Sequence, residues 1–131
     1  MTYLFDVNAL LVLGFLQHEF SNRLALWAKS QDSLTLATCS IREMGFLRVL
    51  GSIPKYAISL EQARSILSLL KSGNPLSCIF FPDDQDVSHL PFWVKTAKQV
   101  TDGHLLQLAA SRSIPLATFD ENIPGVFVIP R

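Results

Sequence analysis

Thr2-Tyr3-Leu4-Phe5-Asp6-Val7-Asn8 opens the chain with a short apolar strand that ends on a carboxylate and runs straight into a new apolar segment. The arrangement returns near the other end, where Pro115-Leu116-Ala117-Thr118-Phe119 is a strand candidate ending at Asp120, followed by the turn-like Glu121-Asn122-Ile123-Pro124-Gly125. Further strand candidates lie at 34–37, at 78–81, where the apolar run suggests a buried strand, and at 126–129; the segments between carry helical spacing. The order reads strand, helix, helix, strand, helices, strand, helix, strand, strand. Strands alternating with helices imply an α/β fold with a parallel sheet covered on both faces. In such sheets ligands gather outside the carboxyl ends of the strands, so acids that close distant strands can meet there.

Two more acids stand in apolar surroundings. Cys39-Ser40-Ile41-Arg42-Glu43-Met44-Gly45-Phe46-Leu47-Arg48-Val49-Leu50 reads as a helix, in which Glu43 shares a face with Cys39, Phe46, Leu47 and Leu50 while Arg42 and Arg48 fall on the solvated side. A carboxylate facing the core costs several kcal/mol unless a cation, a hydrogen-bond network or a proton accompanies it. The plain alternative is a Glu at the rim of that face. Thr101-Asp102 opens a helical run from Gly103 to Ala110, and either residue can cap it, with Gly103 a poor helix former just behind. Singly, each acid is an ordinary cap or turn residue; together Asp6, Glu43, Asp102 and Asp120 point to a metal.

Four segments, Leu4-Phe5-Asp6-Val7-Asn8-Ala9-Leu10, Ser40 to Leu50, Val100 to Ala109 and Leu116-Ala117-Thr118-Phe119-Asp120, resemble in order and spacing the motifs of the PIN-domain nucleases, and among these the VapC ribonuclease toxins of toxin-antitoxin pairs. The resemblance spans nearly the whole chain. It implies a three-layer α/β/α fold with a central parallel sheet and metal-dependent hydrolysis of RNA. Four carboxylates are hard oxygen donors of the kind that suit Mg²⁺ or Mn²⁺. Asp6 and Asp102 are the expected direct ligands; by analogy with the family, Glu43 and Asp120 act through water or hold a second ion. Asn8 and Thr118 are expected to orient carboxylates by hydrogen bonds rather than touch the metal.

With 131 residues the chain suits one domain, expected to span 1–131. The apolar N-terminus lacks a basic leader and Asp6 interrupts it, and no apolar run reaches membrane-spanning length, so a cytoplasmic protein without membrane contact is expected. Cys39 and Cys78 read as buried free thiols. Asp83-Asp84-Gln85-Asp86 lacks the glycine and terminal Glu of a calcium loop and reads as solvated. His18, His89 and His104 show no metal-ligand spacing and are expected in exposed or cap-side positions, although His104 could face the acids. No phosphate-cradling glycine loop, Cys-x-x-Cys pair or serine elbow is present.

Eleven basic residues balance eleven acidic ones, so general backbone binding to nucleic acid should be modest. RNA contact is then local, drawn from Arg42, Arg48, Lys55, Lys95, Lys98 and Arg112. The run Ala9-Leu10-Leu11-Val12-Leu13 with Phe15 and Leu16 is apolar on every side and needs cover. In the resembling family an antitoxin tail lies beside the early helices and toxin subunits pair, which implies a homodimer that binds an antitoxin. The alternative is that the later helices bury the run. Rival readings are a PIN-like scaffold that binds without cleaving, a housekeeping RNA-processing nuclease, and a phosphoacceptor receiver module. The last would want paired acids after the first strand, where Asp6 stands alone.

Overall fold

The first strand forms where the sequence puts it. In the computed structural model, which describes residues 1–14, 19–73 and 76–131, β1 (Thr2–Phe5), β2 (Thr35–Thr38), β3 (Ser77–Phe80), β4 (Leu116–Thr118) and β5 (Phe127–Val128) make one sheet. Its order is β3-β2-β1-β4-β5 and every pairing is parallel. Five α-helices accompany the strands among the described residues: α1 (Val7–Gly14), α2 (Ser21–Ser30), α3 (Ser40–Ser52), α4 (Leu60–Lys71) and α5 (Val100–Ser111).

Alternation along β1 separates two cores. Tyr3 and Phe5 point into a large cluster with Leu10, Val12, Trp27, Phe46, Leu50 and Leu67, whereas Leu4 points the other way, onto Leu105, Leu108 and Leu116. Helices α1 to α4 thus cover one face and α5 the other, which is the three-layer α/β/α arrangement.

Helix α1 buries Ala9, Leu10 and Val12, and its Leu11 and Leu13 pack partly buried against the core, because α2, α3 and α4 all lie on it. Ala9, Leu10 and Val12 are therefore covered within the chain, while Leu11 and Leu13 keep part of their surface exposed; Phe15, Leu16 and His18 lie outside the described residues. Helix α4 starts on a capping box, with Gln62 N–H donating to Ser59 Oγ at 3.1 Å and Ser59 N–H to Gln62 Oε1 at 2.8 Å. It ends at Lys71, two residues before Gly73, whose φ of +87° side chains disfavour.

Two expectations need correction. Strand β3 is not buried: among the described residues it is a sheet edge paired to β2 alone, and Ile79 and Phe80 are 40 % and 44 % exposed. An apolar run of this length looks the same at an edge as in the interior. Helix α5 begins at Val100, so neither Thr101 nor Asp102 is its cap; Asp102 lies inside the first turn. Gly103 is not a weakness there either. A Cβ at that position would stand 2.3 Å from Val94 Cγ2, so the missing side chain lets the helix start close against the preceding segment.

Candidate functional site

Strand β1 is followed in the chain by β2 and then β3 on one side of it, while β4 and β5 lie on the other, so the strand order reverses between β1 and β4. The crevice outside the carboxyl ends of those two strands is where such sheets bind ligands. Asp6 is the first residue beyond β1 and is buried. Its Oδ1 accepts the Val7 N–H at 2.8 Å and also a bond from Arg42 Nη1, and its Oδ2 accepts the Thr118 hydroxyl at 2.9 Å.

Thr118, the last residue of β4, is fully buried and ties three neighbours together. Its oxygen also accepts Asn8 Nδ2 at 3.1 Å and the Asp120 N–H at 3.0 Å. One donated and two accepted bonds use the full capacity of a hydroxyl. Asn8 Oδ1 in turn accepts the Phe119 N–H at 3.3 Å, and Asp120 Oδ1 accepts the Asn122 N–H at 2.9 Å, which holds the turn after β4.

Asp102 reaches the same region from the first turn of α5. Burial raises its carboxyl above the ordinary value, the Asp6 charge adds to the rise, Arg42 opposes it, and Asp120 raises it further. Asp6, Asp102 and Asp120 are therefore within electrostatic reach of one another. Glu43 is held differently, with its carboxylate accepting from Thr38 Oγ1 and, at 2.9 Å, from Lys71 Nζ. It occupies the rim of the buried face of α3.

Arg42 was expected in solvent and is instead buried, 8 % exposed, in an ion pair with Asp6. The buried seam of α3 runs through Arg42, Phe46 and Leu50, one position away from a seam through Glu43. The carboxylate that compensates the guanidinium lies on β1's exit, out of reach of any local pattern. The sequence did carry the signal: Arg42 is four residues before Phe46 and three after Cys39.

His104 is likewise buried rather than exposed, with Nε2 at 2.5 Å from Asp83 Oδ2. Asp83 is thus a partner to α5 rather than part of a purely solvated loop. Arg112 fastens the same loop through Asp84 at 3.3 Å and the Pro82 carbonyl at 3.1 Å. Of the other basic residues, Arg48, Lys95 and Lys98 are exposed, the last two on the segment leading into α5.

Among the described residues no three His, Cys, Asp or Glu side chains are arranged closely enough to hold a metal ion. The donor chemistry nonetheless fits one. Asp6 and Asp120 are linked through the Thr118 hydroxyl at the carboxyl end of a parallel sheet, Asp102 lies within electrostatic reach of both, and all their donors are hard oxygens.

No family model matches the chain. Curated relatives do. The chain is 37 % identical to Ribonuclease VapC38 of Mycobacterium tuberculosis, over 98 % of its own length and 89 % of that protein's. Ribonuclease VapC44 of the same organism is 33 % identical over 94 % and 89 % of the two chains, and Ribonuclease VapC39 is 32 % identical over 92 % and 89 %. Among solved structures the fold is similar to that in the crystal structure of VapBC2 from Rickettsia felis bound to a DNA fragment from their promoter. The TM-score is 0.56 at 17 % identity, covering 97 % of this chain and 96 % of that one.

Proposed function

Since this chain belongs to the VapC family of PIN-domain ribonucleases, we propose that it hydrolyses RNA phosphodiester bonds as an endoribonuclease, at the crevice between β1 and β4 and with Mg²⁺ or Mn²⁺. The observation that carries the site is the buried Thr118 hydroxyl, which donates to Asp6 at 2.9 Å and accepts the Asp120 N–H at 3.0 Å at the switch point of the sheet, with Asp102 within electrostatic reach.

Asp6 and Asp102 would bind the ion directly, with Asp120 and Glu43 acting through water or on a second ion. The bound ion supplies a water of lowered pKa and positive charge against the phosphate. The chain's own contribution is position. Thr118 and the Val7 N–H fix both oxygens of Asp6, and Asn8 fixes Thr118, so the first carboxylate cannot turn away from the crevice. Glu43 can exchange its Lys71 partner, because that ion pair is partly exposed. Lys95 and Lys98, exposed on the segment that leads into α5, would meet the RNA backbone.

We place the protein in a toxin-antitoxin pair, with an antitoxin partner and a homodimeric assembly. Support for docking beside the N-terminal helices comes from a groove of ≈ 370 Å³ lined by Val12, Leu13, Leu24, Ala25, Ala28 and Leu76. No helix among the described residues is long and apolar enough to cross a membrane, and a cytoplasmic site of action fits an RNA substrate.

The test is cleavage of total cellular RNA by the purified chain with Mg²⁺, Mn²⁺ or EDTA, with the new ends mapped. Metal-dependent ends from the wild type that Asp102→Asn does not make are expected. Equal cleavage by both proteins, or cleavage indifferent to EDTA, would refute the assignment.

A further inference from the structure

The acidic crevice already contains a cation, and it belongs to the protein. Arg42 comes from the first turn of α3, is buried, and puts Nη1 on Asp6 Oδ1 across a sequence separation of 36 residues. Its Nε is buried with no hydrogen-bond partner among the described residues. A guanidinium with an unsatisfied N–H is costly to bury, so this pose is held by charge rather than by a complete set of bonds.

The pose also limits what else Asp6 can do. A carboxylate offers about four lone-pair directions. The Val7 N–H and Arg42 take Oδ1 and Thr118 takes one direction of Oδ2, so little of Asp6 is left for another cation while Arg42 stays in place. Arg42 also acts on Asp102, against the influence of Asp6 and Asp120. One positive charge thus stands among three acids and partly compensates them, in the crevice where a divalent ion would bind.

We propose that Arg42 is a built-in counter-cation: it occupies Asp6 in the metal-free protein, holds the acids together there, and leaves Asp6 when a divalent ion binds. The inference rests on the metal-site reading above. Metal affinity is then set by a competition inside the chain, and the protein binds Mg²⁺ or Mn²⁺ more weakly than its carboxylates alone would.

The test is Mn²⁺ binding, followed by electron paramagnetic resonance and calorimetry, in the wild type, Arg42→Gln and Asp102→Asn. Arg42→Gln should bind Mn²⁺ about tenfold tighter or more, the equivalent of losing one competing charge-assisted hydrogen bond. In EDTA it should melt below the wild type, and saturating Mn²⁺ should close or reverse the gap. A merely structural Arg42 would leave the same deficit with and without metal. Equal or weaker binding by Arg42→Gln, with wild-type binding intact and lost in Asp102→Asn, would overturn the proposal and leave the metal site standing. Binding no stronger in any of the three proteins than in the others would remove the metal site itself and the proposal with it. Should Arg42→Gln fail to fold, arginine side-chain NMR of the wild type decides. The Arg42 Nε–H signal should be protected from exchange without Mg²⁺ and lose protection at saturation; a signal unmoved while Asp6 and Asp102 backbone signals shift would overturn the idea.

Discussion

Replacing Thr118 by Val preserves the shape of a fully buried side chain and deletes the hydroxyl that joins Asp6, Asn8 and Asp120. The swap is isosteric but not conservative. Lost first is a bond to a buried carboxylate at 2.9 Å, a type whose net worth is about 1.5–3 kcal/mol. The two accepted bonds, from Asn8 and the Asp120 N–H, are worth about 0.5–1.5 kcal/mol each, and their donors are only half-buried, so water recovers part of that. The expected loss is ~2–4 kcal/mol. Urea unfolding in EDTA, followed by circular dichroism, measures it; the midpoint should fall with the slope unchanged. Cleavage should fall as well, because Asp6 is freed to rotate. A loss below ~0.5 kcal/mol would refute the view that Thr118 organises the crevice.

Asp102→Asn should abolish cleavage and raise the melting temperature at neutral pH in EDTA. The Asp102 carboxyl sits above its ordinary 3.8, through burial first and the Asp6 charge second. The folded state therefore holds the proton more tightly than the unfolded chain, and the stability this gives is complete below 3.8 and lost as pH rises through the folded value. The gain from Asn should vanish on acidification below that window; a gain that persists there, or a loss at neutral pH, would contradict the reading. Gly103→Ala forces a Cβ to within 2.3 Å of Val94 Cγ2 and should cost about 1–3 kcal/mol in urea unfolding; no loss would mean that the 91–94 segment yields freely. Ser59→Ala removes the α4 cap and should cost about 1 kcal/mol while leaving cleavage of RNA unchanged.

The sequence was most legible where its signals are local. The order of strands and helices follows from the apolar runs and their spacing, and the Ser59–Gln62 capping box marks α4 to the residue. Asp6 and Asp120 could be singled out because each follows an apolar strand run, Asp6 directly and Asp120 two residues beyond the end of β4. What was misread depends on partners far along the chain. Whether an apolar strand such as β3 lies inside a sheet or at its edge is set by the strand order. The phase of α3 was off by one residue because the partner that makes Arg42 tolerable in the interior is Asp6, 36 residues away. His104 is buried for a similar reason, through Asp83, 21 residues away. Gly103 reads as a poor helix former in isolation and as a necessary gap once Val94 is beside it.

The metal centre between β1 and β4 can be located by anomalous diffraction from crystals of this chain soaked in Mn²⁺. A peak bound to the carboxylates of Asp6 and Asp102, with Arg42 no longer on Asp6, is the expected result. A peak bound only elsewhere on the protein, or an empty crevice in crystals whose Mn²⁺ concentration supports RNA cleavage in solution, would contradict it.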